Sequence, residues 1–145
     1  MFLPAFACLC TILTSMTKSL MILIAGPYRS GTGDDPELLR RNLNRLEAAA
    51  WPIFQAGHLP MIGEWVALPV LESAGVTDLS DPLAGEVMYP AAERLLQRCD
   101  AVLRLPGESR GADQDVALAR DRGIPVYDHL GDIPGVEAPL VDTVQ

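Results

Sequence analysis

The sequence is poor in cysteine, in aromatic residues and in positive charge. Its three cysteines, Cys8, Cys10 and Cys99, are odd in number and fit no zinc-ligand spacing. The chain therefore reads as a reduced cytoplasmic protein with neither a disulfide framework nor a metal. Eleven Lys and Arg stand against nineteen Asp and Glu, a net charge of −8. That balance argues against a nucleic-acid polymer as partner, because affinity there comes from cations that neutralise the phosphates. It leaves room for one Arg to hold one phosphate monoester. The apolar segment Phe2–Leu13 falls short of the roughly 20 residues that span a bilayer, so no membrane partner is expected. There is no Walker A sequence. Gly31 and Gly33 lack the third glycine of a dinucleotide fingerprint. Internal repeats, low-complexity tracts and linkers are missing too, which predicts one domain.

What is present is organised around Cys99–Asp128. Asp100–Leu105 is a short apolar strand that stops at Pro106-Gly107, and Gly107–Gly111 forms a loop. Ala112, Val116 and Ala119 then recur at helical spacing until Gly123, and Ile124–Tyr127 makes a second strand. Two strands joined by a helix form a parallel, right-handed βαβ unit. Ligands of such sheets sit beyond the carboxyl ends of the strands, here at Pro106–Asp115. A small loop opening a helix offers unpaired N–H groups and the positive end of the dipole to an anion. Asp115, expected in the first turn, would lie beside it.

Met21–Ala25 is a continuous apolar run, as for a strand buried on both faces. The polar, Gly-bearing loop Gly26–Asp35 after it forms the other side of the ligand mouth. Asp35-Pro36-Glu37 starts a helix. Its apolar stripe runs Leu39, Leu43, Leu46, Ala50, Ile53, with Pro52 set to kink or end it and Asn42 and Asn44 on the surface. His58–Ile62 is a second strand, weakened by Pro60 and so placed at an edge. Gly63-Glu64-Trp65 lies just past it on the ligand side. Trp65 either offers a flat face to a base or simply packs, and Glu64 offers a polar contact. His58 reads as a hydrogen-bonded structural residue. Helices are expected over Trp65–Ser73 and Leu83–Arg98, the latter burying Val87, Ala91 and Leu95. Gly131–Gln145 reads as a tail. Residues 1–20 read as an extension or loosely attached arm, with Met16 and Met21 both offering starts. A secretory segment is the alternative, although no Lys or Arg precedes the apolar run and no A-x-A site follows it.

Ala25-Gly26-Pro27-Tyr28-Arg29, Cys99-Asp100-Ala101-Val102 and Ser109-x-Gly111-Ala112, in this order, resemble the nucleoside 2-deoxyribosyltransferase-like superfamily, which includes the 2'-deoxynucleoside 5'-phosphate N-hydrolases. The resemblance covers about Met21 to Tyr127. It implies an α/β, flavodoxin- or Rossmann-like three-layer sandwich over residues 21–145. The parallel sheet should have four or five strands in order 2-1-3-4, with Ile22, Ile24, Val102, Leu103 and Val126 in its core. It further implies cleavage of a base–sugar bond by hydrolysis or transfer, with a nucleoside or its 5'-monophosphate as substrate and no cofactor.

In that chemistry a carboxylate attacks C1' and the base leaves, as in retaining glycoside hydrolysis. The family nucleophile, a Glu, falls on Asp115, one methylene shorter. Nucleophile and dipole partner both remain open for it, with Asp113 as the fallback carboxylate. Tyr28 would position the sugar or donate to the nucleophile. Ser109, Gly111 and Arg29 match the phosphate-holding positions, joined by Gly26, Pro27, Arg110 and Ala112 around the two loops. The family's second acid falls on Ala92; Glu86 and Glu93 are near, but Glu93 is expected to face elsewhere. The resemblance implies a homodimer, through Leu83–Arg98. A non-catalytic nucleotide or nucleotide-sugar binding module is the competing reading. A receiver-type signalling domain lacks its acids, since Ala25-Gly26-Pro27 ends the first strand.

Overall fold

A computed structural model describes residues 18–137. The segment 1–17, with Cys8 and Cys10, and the last eight residues of the tail lie outside the described residues. Four strands form one sheet in order β2-β1-β3-β4, every pairing parallel: β1 Met21–Ala25, β2 Leu59–Ile62, β3 Ala101–Arg104 and β4 Val126–Tyr127. β1 is central, with Ile22 opposite both Pro60 and Ala101, and Pro60 sits on the edge strand where a missing N–H is tolerated. Five helices connect the strands: α1 Pro36–Glu47, α2 Ala50–Gln55, α3 Gly63–Ser73, α4 Pro82–Leu96 and α5 Arg110–Asp121.

Alternate residues of the central strands feed two cores, one on each face, which makes the three layers. Ile22, Ile24, Ala101 and Leu103 meet Leu46 and Ile53 of α1 and α2. Leu23, Ala25 and Val102 meet Leu96 of α4 and Ala112 and Ala119 of α5. Val126 is only half-buried, because two-residue β4 closes the sheet at its far edge. In α4 the fully buried residues are Ala84 and Leu96; Val87, Ala91 and Leu95 are half-buried. Among the described residues no helix is long and apolar enough to cross a membrane.

The stripe Leu39–Ile53 belongs to two helices. α1 ends at Glu47 and α2 begins at Ala50. Pro52 has no N–H to give to a carbonyl four residues earlier, and its ring crowds that carbonyl, so the chain breaks there and restarts with Pro52 in the first turn of α2. Asp35 caps α1, its carboxylate accepting from the amides of Glu37 and Leu38.

The start of the tail is core. A single 3₁₀ turn, Leu130–Asp132, delivers Ile133, which is 1% exposed, into the α1/α2 cluster. His58 ties the same region down. Its Nδ1 accepts from the Leu20 amide at 3.1 Å, which leaves Nε2 to donate to the Pro134 carbonyl at 2.7 Å. Ile133→Ala is expected to lower unfolding free energy by about 2–5 kcal/mol, measured by urea denaturation, since it removes a fully buried branched side chain from the α1/α2 cluster. A change within about 0.5 kcal/mol would mean the tail is only resting on the core.

Candidate functional site

Strands β2, β1 and β3 all end on one side of the sheet, and a cleft opens there. The β1 loop is its floor. The first turn of α3, which follows β2, forms one wall, and the start of α5, which follows β3, forms the opposite one. α4 closes the side with Gly85, Met88, Tyr89, Ala92 and Glu93. These recur three and four apart, one face of a helix.

The floor is held by side chains. Gly26 admits no side chain, since a Cβ there would lie 2.8 Å from Leu46 Cδ2 and 3.2 Å from Leu105 Cβ. Asn42 donates to the Tyr28 carbonyl at 2.8 Å, so it is a positioning residue rather than a surface one. Buried Thr32 donates to the Arg29 carbonyl at 2.6 Å and accepts from the Asp34 amide at 3.1 Å. That bond draws Asp34 into the left-handed region, at φ 59°. Its carboxylate then takes Nε and Nη2 of Arg29, each at 2.9 Å. The pair leaves the Nη1 edge of the guanidinium fork for an anion. Arg29 in turn holds the Asp34 carboxyl below its usual range.

On the α5 wall, Ser109 is the N-cap, its Oγ accepting from the Ala112 amide at 3.1 Å. The first intrahelical bond runs from the Asp113 amide to the Ser109 carbonyl at 3.0 Å. The amides of Arg110 and Gly111 precede it and carry the positive end of the helix dipole at the cleft. Asp115 lies in the second turn, not the first, and is recessed into the wall. There the dipole and the unpaired amides do little for it. Burial raises its carboxyl to about 7, with Glu64's charge adding to the rise and Arg104 opposing it. Asp113, the other carboxylate, points to solvent and pairs with Arg104 Nη2 at 2.9 Å.

Arg104 carried no sequence signal beyond being a charge at the end of an apolar strand. It also donates to the Leu105 carbonyl and, at 2.9 Å, to the Gly107 carbonyl, so it shapes the loop before α5. Gly107 is needed there: its φ is +117°, and a Cβ would meet Pro27 Cγ at 2.7 Å. That contact shows where Pro27 goes. It packs one loop on the other and is not on the cleft wall.

Glu64 and Trp65 part company. Both belong to the first turn of α3, not to a loop. A helix turns about 100° per residue, so with Glu64 facing the cleft Trp65 faces away, 38% exposed. Burial raises the Glu64 carboxyl above its usual range, opposed by its own backbone amide. Glu64 in turn adds to the rise that burial causes in the Tyr28 phenol, which is 8% exposed and stays a neutral donor. Glu93 does line the cleft: the contacting stripe on α4 is wide enough to hold both position 92 and position 93. Of the predicted residues, Gly26, Tyr28, Arg29, Glu64, Ser109, Arg110, Gly111, Ala112 and Asp115 converge on one cleft; Pro27 and Trp65 do not.

Asp100 sits at the other end of the strands, accepting from the Met21 amide at 2.9 Å, and is structural. Burial pushes the Cys99 thiol up to about 11, which removes it as a nucleophile. Among the described residues no group of three or more His, Cys, Asp and Glu gathers as a metal site. A second, more open groove between α1 and α3 shares only Tyr28 with the cleft.

No protein-family model matches the chain, and no curated protein matches it.

Proposed function

We propose that the protein cleaves the N-glycosidic bond of a nucleoside 5'-monophosphate, with Asp115 as nucleophile. One observation carries the reading. A recessed carboxyl that titrates near neutrality shares a cleft with a helix N-terminus whose first two amides are unpaired. The first feature suits covalent attack on a sugar carbon, and the second suits a phosphate.

In this reading the 5'-phosphate takes the amides of Arg110 and Gly111, the Ser109 hydroxyl proton and the Nη1 edge of Arg29. Tyr28 donates to the sugar from the floor. Asp115 attacks C1' as the bond to the base breaks, giving a glycosyl ester that water then opens. A pKa near 7 leaves about half of Asp115 ionised at neutral pH, enough to react. The same protonation favours a second reading, a module that binds a nucleotide without cleaving it.

Deoxynucleoside 5'-monophosphates and the matching nucleosides, incubated with the protein and followed by chromatography for free base, separate the two. Release from monophosphates is expected to exceed release from nucleosides by roughly 10- to 100-fold in kcat/KM, the value of one or two charge-assisted hydrogen bonds. Arg29→Ala should reduce that preference through KM. Clear binding in calorimetry with no release from any nucleotide would leave the binding module.

A further inference from the structure

We propose that Glu64, in the first turn of α3, is the catalytic residue that hands a proton to the departing base and later takes one from the attacking water. The inference rests on the glycosidase reading above and names a residue that reading does not use. A base leaves as a poor, localised anion unless it is protonated as the C1'–N bond breaks, so the cleft needs an acid on the side away from the nucleophile. Topology supplies it. β2 and β3 flank β1, so the elements that follow them, α3 and α5, stand on opposite sides of the β1 loop. A sugar lying over Tyr28 therefore has Asp115 on one side and Glu64 on the other. Beside Glu64, α3 packs closely on α4 at the cleft: a Cβ on Gly63 would already touch Ala92 Cβ, at 3.5 Å.

The other proton donors on the walls fit less well. Arg29 and Arg110 do not give up protons. Burial makes Tyr28 hold its proton more tightly. Glu93 lines the cleft from α4, but it is Glu64 whose charge reaches both Asp115 and Tyr28. Burial raises the Glu64 and Asp115 carboxyls together, and the charge of Glu64 adds to the rise at Asp115, so the two titrate as a coupled pair. Positive charge developing at C1' favours the ionised form of Asp115, and the lone pair developing on the base favours the proton on Glu64.

The electrons then balance. Asp115 Oδ forms a bond to C1', and the C1'–N pair moves onto the base. The Glu64 carboxyl gives its proton to the base, which leaves neutral. Glu64, now a carboxylate, takes a proton from water while the water oxygen bonds to C1' and expels the Asp115 carboxylate. The net change is water added across the C1'–N bond, with both carboxyls restored.

The test uses two substrates: 2'-deoxyguanosine 5'-monophosphate and its 7-methyl derivative, whose base is already cationic and leaves without a proton. Glu64→Gln is expected to lose about 10²- to 10⁴-fold in base release from the first, the usual worth of a general acid. On the 7-methyl substrate it should give a burst of base close to the wild-type rate and then stall, with sugar phosphate on Asp115 visible by mass spectrometry. Glu64→Asp, which keeps an acid, should fall between Gln and wild type on the first substrate and carries the test if Glu64→Gln does not fold. Equal loss on both substrates in a folded Glu64 variant would overturn the assignment. So would the selective loss appearing in Glu93→Gln instead. Wild-type protein that releases base from neither substrate would remove the glycosidase reading itself, a result distinct from either.

Discussion

Asp115→Asn is expected to lower base release from deoxynucleoside 5'-monophosphates by at least about 10³-fold while leaving nucleotide affinity within a few-fold of wild type. Removing a nucleophile alone forfeits most of the covalent route. The amide has nearly the shape of the carboxylate and keeps the α5 wall packed, but it neither carries charge nor forms the ester. In the proposed reading the phosphate is held by other groups lining the cleft, Ser109, Arg110, Gly111 and Arg29, which the substitution leaves in place. Asp113→Asn should change the rate little, because Asp113 faces solvent and its partner is Arg104. The measurement is free base against time, with binding followed by calorimetry. Base release at the wild-type rate from Asp115→Asn would end the nucleophile assignment.

Much of the frame was legible because punctuation and pattern agreed. Met21–Ala25 and Ala101–Arg104 are apolar runs followed by Gly26-Pro27 and Pro106-Gly107, and they became the two central strands. Asp35 and Ser109 precede helices that they cap through their side chains. The start of α3 was hidden because its N-cap is Ile62, which has no side-chain cap to signal it. Without that boundary, the rotation that turns Glu64 in and Trp65 out could not be read. Ile133 stands alone between Asp132 and Pro134, without the period that marks a core residue, so its burial depends on where a turn delivers it.

The cleft itself divides along the same line. Residues supplied by loop sequence, Gly26, Tyr28 and Arg29 and from Ser109 to Ala112, could be named because local chemistry places them, whereas Pro27 in the same loop packs away from the cleft. Arg104, Asn42 and Glu93 could not, because each acts across elements that only the folded sheet brings together. The charge state of Asp115 is the clearest case. Helix position alone suggests a stabilised carboxylate, yet depth in the wall and the facing Glu64 raise its pKa, and neither is a property of the local sequence.

That raised pKa has a stability counterpart. Wild-type protein is expected to lose stability as pH rises from about 4 to 7, and Asp115→Asn should lack most of that loss. An ordinary Asp titrates near 3.8, whereas Asp115 in the fold titrates at about 7. Below 3.8 the carboxyl is protonated folded and unfolded, and nothing changes. Between the two values the unfolded chain has released the proton and the folded chain still holds it. The unfolded state then binds fewer protons, so unfolding free energy falls by about 1.4 kcal/mol per pH unit. The gap between the values sets a ceiling of about 4 kcal/mol, fully expressed above pH 7. Glu64 is raised as well and acts in the same direction. Asp34, held down by Arg29, has the opposite sign, but its contribution is lost only as pH falls below the ordinary Asp range, so the windows stay apart. Urea unfolding of both proteins from pH 4 to pH 8 checks this. The Asn variant should gain on wild type steadily with pH, so the substitution that stops base release also stabilises the fold. A difference between the two that does not change with pH would show that Asp115 keeps its ordinary ionisation, and that the cleft does not desolvate it.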